Sequence, residues 1–398
     1  QETWCALSAW RLVEEERGHR ETFAGSPCPH DTISFMSFLS RFFGGAKKSA
    51  SVIGVDVGSS SLKVVQLRRD QGVVVLETYG ELALGPYAGA DVCQATNVSA
   101  ENIAETLRDL LSESNVTSLD AGMSIPFSRS LLKLVNLPYR ENPAEQKTVI
   151  ELEARKYIPV PVSEVQLDWF IVPVVGAENA ERPTSVDVLL VAVHNDELSL
   201  LNGVVQGAGL SASFYEIEIF STIRAVVDEP ILPVLVLDIG ASATKVYVVE
   251  HGVVAFSHNI PEGGQDVTRT IAAANSITIG KAENLKKEHG FEGVKENGYD
   301  KDTIELVFSR IFDEARRAST QYETKAQKKI AGLVLTGGGG VTKELAAYAQ
   351  KFFSVPVRVA DPFAKTEAPA FMRPVLEAIG PEFAVAVGLA LRKLEDSA

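Results

Sequence analysis

The chain has 398 residues, 45% of them apolar, and carries a formal charge of -14. Such a length gives two or three domains with one or two buried cores, and the acidic balance repels nucleic-acid phosphates and anionic lipid headgroups in the absence of a local basic patch, which the sequence does not show. Cys5, Cys28 and Cys93 lack CxxC spacing, which excludes a zinc site or disulfide framework and fits a reducing cytoplasm.

Residues 1–35 hold no sustained period, and MSFLSRFFGGAKKSA from Met36 has the look of a natural start. Residues 1–50 are therefore set apart as an N-terminal extension, expected to be partly disordered. In it Phe38, Leu39, Phe42 and Phe43 share one helical face ahead of Lys47 and Lys48. A membrane-surface helix, a mobile tail and a partner-docking segment all remain open for it.

From Val52 the pattern SVIGVDVG, SSLKVVQLRR, GVVVLETYGEL predicts a β-meander, followed by a helix over 101–113 with Ile103, Leu107, Leu110 and Leu111 on one face, and the strand LDAGMSIP. A strand–helix–strand–strand module comes next. Asn142 as N-cap, Pro143 at the first helical position and Glu145 in a capping box start its helix, which Pro159 stops. LDWFIVPVVGA and VDVLLVAV, the longest apolar runs, read as its last two strands around the polar loop 176–185, and are far shorter than the roughly 20 residues that span a bilayer.

After a helix near 196–207, the segment PVLVLDIGASATKVYVVEHGVVAFSH repeats the opening meander about 180 residues on. Helices follow over 264–275, 281–289 and 302–324, the last with Ile304, Val307, Phe308, Ile311, Phe312, Ala315 and Tyr322 on one face. The strand IAGLVLTGGGG, a helix from Val341 and the C-terminal helix PEFAVAVGLALRKL close the chain.

Three motifs carry chemistry. In VDVGSSSLK, Gly58 lets backbone N–H groups approach phosphate oxygens, Ser59, Ser60 and Ser61 add hydroxyl donors, Lys63 supplies a positive charge and Asp56 can hold hydrated Mg²⁺. One Gly-Ser hairpin of this kind is ordinary architecture. The second copy, LDIGASATK, sets Asp238, Gly240, Ser242, Thr244 and Lys245 at matching offsets, and two such hairpins facing each other would clamp a polyphosphate. The third is TGGGG, where Gly337, Gly338, Gly339 and Gly340 end a strand and permit close approach to a flat or phosphorylated ligand. Neither GxxxxGK[ST] nor GxGxxG is present.

Two Asp-x-Gly hairpins and a later Gly-rich strand end resemble the superfamily of actin, DnaK-type chaperones and sugar kinases. Within it IGVDVGSSSLKVVQL and IELEARKYIPVPVSEVQLDWFIV are similar to the PilM family of type IV pilus assembly, and next to FtsA of cell division, over about 36–394. The resemblance implies an α/β, ribonuclease H-like duplicated, actin-like two-lobe fold. Its parts would be a first lobe over 51–123, an inserted SHS2-like α+β module over 124–213, a connecting helix over 214–232, a second lobe over 233–380 and a C-terminal helix over 381–398 returning to the first lobe.

It also implies ATP and Mg²⁺ as ligands, with Asp56 and Asp238 organising the metal through water. Gly58, Ser59, Ser60, Ser61, Lys63, Gly240, Ser242 and Lys245 would then contact phosphate, and Gly337 to Gly339 would lie beside the adenosine. Glu283 and Lys286, with Lys287 as a further candidate, match its Glu-x-x-Lys ribose and base contact, although by charge pattern alone they read as an exposed helix face. Glu218 matches a carboxylate that could orient attacking water, and equally reads as a cap or surface charge.

Asp313 and the histidines form no recognisable base constellation, nothing in these residues matches the chaperones' long second insertion or peptide-binding domain, and the segment LALRKLEDSA does not resemble the C-terminal amphipathic anchor of FtsA. Turnover is therefore expected to be slow or absent. The implied role is a cytoplasmic scaffold, peripheral to the inner membrane, that docks the N-terminal cytoplasmic peptide of a PilN-like protein and lies near the pilus assembly ATPase. Self-association, an FtsA-like filament or division role and a small-molecule kinase are the alternatives.

Overall fold

The structure, a computed structural model, describes residues 51–92, 94–172, 184–228, 231–292 and 301–396. The N-terminal extension with its Phe-rich segment, all three cysteines and most of the loop 176–185 lie outside these residues.

The described chain opens with strands β1 (Val52–Val57), β2 (Ser61–Asp70) and β3 (Val73–Ala83), then α1 (Ala100–Glu113) and β4 (Asp120–Ile125). Next come β5 (Ser130–Pro138), α2 (Pro143–Ala154), β6 (Val165–Ile171) and β7 (Ser185–His194). Helix α3 (Asn195–Ala208), β8 (Ser211–Ile217) and α4 (Glu218–Val226) lead to the second meander, β9 (Val234–Ile239), β10 (Thr244–Glu250) and β11 (Val253–Ile260). It is followed by α5 (Gly264–Asn275), α6 (Ile279–His289), α7 (Lys301–Ala326), β12 (Gly332–Thr336), α8 (Leu345–Phe352), β13 (Val357–Val359), α9 (Arg373–Ile379) and α10 (Ala384–Asp396).

These strands form two five-stranded sheets of the same design, β3-β2-β1-β4-β8 and β11-β10-β9-β12-β13. In each, an antiparallel meander is extended by two parallel strands reached through helices. The central strands β1 and β9 are almost continuously buried and apolar, as strands covered on both faces must be. Helix α1 is capped by the Ser99 hydroxyl, which accepts from Asn102 N, and buries Ile103, Leu107 and Leu110. Helix α7 buries its Ile304–Tyr322 stripe in the core of the second sheet. Across the first sheet, α10 packs on β1, β2 and β4 and crosses α4.

The third sheet, β5-β7-β6, carries α2 on one face. Asn142 caps α2 as the sequence predicts, its Oδ1 accepting from Ala144 N at 2.9 Å, but the helix ends at Ala154, five residues before Pro159.

Three boundaries differ from the sequence-based expectation. The module sheet spans 130–194 rather than 124–213, because β4 and β8 pair with each other in the first sheet and α3 packs against α1. The expected connecting helix over 214–232 is a strand up to Ile217 and a helix only from Glu218 to Val226; the alternating segment SASFYEI pairs along β4, an edge invisible in local periodicity. The helix expected from Val341 begins at Leu345, since Glu344 in the left-handed region (φ 60) interrupts it. One stretch, Ala370–Asp396, is long and apolar enough to cross a bilayer; it is broken by a 3-10 turn at Gly380–Phe383 and mostly buried in the molecule.

Candidate functional site

The two meander turns are built alike. Asp56 pairs in register with Lys63 and Asp238 with Lys245, so each hairpin presents a carboxylate and an ammonium at the same height. In the first, Gly58 N donates to Ser61 O at 3.1 Å; in the second, Gly240 N donates to Ala243 O at 3.0 Å. A Cβ on either glycine would lie within 3.0 Å of that carbonyl, which is why glycine stands there. The turns meet across the molecule, the Ser242 hydroxyl lying 3.0 Å from that of Ser59.

Between them lies a cleft of about 350 Å³, within the range of small-molecule sites. Asp56, Gly58, Ser59, Ser60, Ser61, Lys63, Glu218, Asp238, Gly240, Ser242, Lys245, Glu283, Lys286, Lys287 and Gly337 to Gly339 all line it. Of the residues singled out in the three motifs, Thr244, which donates to Glu262 O, and Gly340 do not line it.

The Gly-rich strand end is not all alike. Gly337 has φ +80, and a Cβ there would sit 2.4 Å from Asp238 Oδ1; one on Gly339 would strike the Ile239 side chain. Gly337 N donates to Pro381 O at 3.0 Å and Gly339 N to Ile239 O at 2.8 Å, so these two pin the turn to β9 and to the approach of α10. Gly338 has room, with Glu382 at 3.9 Å as the nearest neighbour of its Cβ position. With α8 starting at Leu345, no helix N-terminus follows this turn directly; α5, beginning at Gly264 beside the second hairpin, lies at the cleft instead.

Charge is organised in three groups. Lys245 Nζ lies 2.6 Å from Glu218 and 3.2 Å from Asp238, and Glu218 also accepts from Phe127 N at 2.7 Å. Burial pushes the Glu218 carboxyl up, as do Asp238 and Asp56, while Lys245 opposes them. The Lys245 ammonium, disfavoured by burial, is nevertheless held well above its ordinary value by Asp238 and Glu218. Asp56 is likewise pushed up by burial, against Lys63 and Lys245. With three carboxylates around one buried ammonium, the lysine keeps its charge and Glu218 takes a proton readily.

In the first hairpin Lys63 donates to Ser61 at 2.7 Å and pairs with Glu81 of β3 at 2.9 Å. Beside the second hairpin Glu283, only 6% exposed, pairs with Lys286 at 2.6 Å, and Lys286 also donates to Gly264 O, whose own N–H donates to Gly240 O. Burial would raise the Glu283 carboxyl, but Lys286 and the Thr268 hydroxyl bring it below its ordinary value. The charge pattern read as an exposed face is therefore turned inward at this position, while Lys287 stays outside at 64% side-chain exposure.

Each cleft lysine of these groups already has a carboxylate, so an added polyphosphate would need further positive charge. Among the described residues no group of three or more His, Cys, Asp or Glu side chains is arranged to hold an ion alone. The donor set of Asp56 and Asp238 suits Mg²⁺, which keeps several waters and completes its shell with phosphate oxygens.

Three lining carboxylates escaped the sequence reading: Glu81, Glu382 and Glu197 in the first turn of α3, which lies 3.8 Å from Arg129. Glu81 is the register partner of Lys63 across the β2–β3 hairpin, but a bulge between Gln66 and Leu67 shifts the pairing by one, so counting from the turn at Gln71 and Gly72 would have named Gly80. Glu382, its carboxyl pushed up by burial and by Glu81, arrives from the far end of the chain with no local signal.

The family model for the type IV pilus assembly protein PilM matches residues 54–394. The chain belongs to the PilM family. A chain of the PilM-PilN type IV pilus biogenesis complex superposes with a TM-score of 0.73 at 23% identity, covering 86% of this chain and 98% of that one. The MreB5 protein of Spiroplasma citri bound to AMPPNP gives 0.50 at 13% identity, over 88% of this chain and all of that one. The fold is thus actin-like. Among curated proteins, the cell division protein FtsA of Neisseria meningitidis serogroup B is 23% identical over 376 residues, covering 84% of this chain and 88% of the relative.

Proposed function

We propose that this PilM-family protein binds ATP with Mg²⁺ between its two hairpins, turns it over slowly or not at all, and serves as a nucleotide-gated scaffold on the cytoplasmic side of type IV pilus assembly. The observation that carries this reading is the meeting of two matched Asp-Gly-Lys hairpins over a cleft that the Gly337–Gly339 turn lines beside Asp238. Asp56 and Asp238 hold the metal's waters. Gly58, Ser59, Ser60, Ser61, Lys63, Gly240, Ser242 and Lys245 face phosphate; Glu283 and Lys286 face the sugar. Bound Mg²⁺ supplies the positive charge that the paired lysines cannot. Glu218, tied to Lys245 and to Phe127 N, orients a water only weakly, which suits a switch better than a fast hydrolase.

The partner is the N-terminal cytoplasmic tail of a PilN-like inner-membrane protein. Support comes from the similarity to a chain of the PilM-PilN complex and from the module, whose strand β6 forms a sheet edge along which an extended peptide can pair. Attachment to the membrane then runs through this partner.

Calorimetry with ATP tests the nucleotide reading. Wild type should bind only with Mg²⁺, and Asp238→Ala and Gly338→Val should lose binding; Gly338→Val should melt close to wild type because its Cβ position is open, whereas Asp238→Ala leaves Lys245 to Glu218 alone and should melt lower. Unchanged ATP affinity in both variants rejects the clamp. Replacing 130–194 by a short glycine linker, feasible because Ser130 and Val193 are register partners, should leave ATP binding and abolish capture of the tail.

A further inference from the structure

Behind the cleft, a second group of charges is sealed in the core of the first lobe. Glu216 of β8, Arg224 of α4 and Arg392 of α10 are each no more than 3% exposed. Glu216 accepts two hydrogen bonds from Arg224, at 2.8 and 3.0 Å, one from Arg392 at 2.7 Å and one from the Ser221 hydroxyl. Arg392 also stacks over Phe214, 4.3 Å from the ring centroid, and Arg224 donates to Gly388 O at 3.1 Å. One carboxylate thus ties together a strand and two helices. Burying an ion group of this size is costly, and well-packed apolar side chains would often hold three elements together as firmly.

The two helices have something else in common. Helix α4 begins with Glu218, and α10 begins just after Glu382, so each presents a carboxylate to the cleft at its N-terminal end and carries its arginine toward its C-terminal end. Between the two ends the backbones touch. A Cβ on Gly388 would lie 1.9 Å from Ser221 O, and one on Gly54 would lie 1.9 Å from Ala386 O. Gly54 is in β1, two residues before Asp56. β1, α10 and α4 are therefore stacked at backbone contact, and a shift of either helix along its axis would displace a cleft carboxylate.

We propose that the Glu216–Arg224–Arg392 group is a positioning device that fixes the axial placement of α4 and α10, and that Arg392 is thereby a positioning residue for Glu218. Bidentate guanidinium–carboxylate pairing is directional, so it sets helix register where apolar contacts would tolerate sliding. The inference rests on the nucleotide reading for what Glu218 does, but not for where it sits. Its position is reported by Phe127 N–H, which donates to it at 2.7 Å.

The test is amide exchange at Phe127, followed in the full chain without ligand, alongside ATP calorimetry. Arg392→Met is the variant of choice, because Glu216 keeps Arg224 and Ser221. It should speed exchange at Phe127 roughly tenfold or more while Leu333 and Leu335 in the second core keep their rates. ATP should bind about tenfold more weakly, and Arg392→Lys should fall between this variant and wild type. A merely structural brace lowers the melting temperature without moving Phe127; wild-type exchange there in folded Arg392→Met overturns the proposal. If that variant does not fold, Arg392→Lys carries the test, with an increase of about threefold expected and wild-type exchange overturning it. If wild type binds no ATP, the nucleotide reading falls, and Phe127 still decides the positioning.

Discussion

The two hairpins share a turn, a register and an Asp–Lys pair, yet their lysines live in different surroundings. Lys63 is held by Ser61 of its own turn and by Glu81 of the neighbouring strand, a carboxylate 39% exposed. At the position matching Ser61 the second hairpin has Ala243, and Lys245 reaches instead to Asp238 and to Glu218, which α4 brings from the first lobe. The first lysine is thus satisfied within its own meander and the second across the lobes. Duplication fixed the hairpin; the neighbours of each copy set how firmly its charge is held.

The largest expected effect separates these lysines. Lys245→Met leaves Asp238, Glu218 and Asp56 clustered without a buried cation and should cost about 3–5 kcal/mol of stability. Lys63→Met frees Glu81, which water can reach, but also takes a counter-charge from buried Asp56, and should cost less, about 1–2 kcal/mol. Urea denaturation of the two variants measures both, and equal costs would erase the distinction.

A smaller effect lies in the pH dependence of two glutamates on either side of the β8–α4 junction. Burial raises Glu218 above its ordinary value of 4.5, so the folded chain holds that proton more tightly than the unfolded one. Its charge therefore costs stability above the raised pKa, and the cost is relieved as pH falls through it toward 4.5. Glu216, despite burial, is held below 4.5 by Arg224 and Arg392, and its contribution, present above 4.5, is lost as pH falls through the depressed value. Melting temperature against pH should show both limbs in wild type. Glu218→Gln should flatten the upper limb and spare the acid one; an unaltered upper limb would mean that Lys245 neutralises Glu218 completely.

The smallest effect sharpens the comparison directly. Ser61→Ala gives the first turn the second turn's residue and removes one acceptor from Lys63, with an expected loss of about 1 kcal/mol. A much larger loss would show that Lys63 depends on its own turn more than on Glu81.

Much of this molecule was legible in the chain alone. The two meanders follow from alternating apolar residues broken by Asp-x-Gly, the capped start of α2 from Asn142 and Pro143, and the cleft residues from the matched motifs, because all of these are local patterns set by backbone geometry. Even Glu81 was hidden, because the bulge between Gln66 and Leu67 shifts the hairpin register that spacing alone would give. Tertiary structure decided the rest. SASFYEI became a strand because β4 offered an edge; Glu283 turned inward because Thr268 and Lys286 were there to receive it. Glu382 reached the cleft, and Arg392 reached Glu216 from 176 residues away, only because α10 returns to lie on β1. Such pairings depend on which elements are brought together, and the free energy that selects them is spread over a whole core, so no stretch of sequence carries their signature.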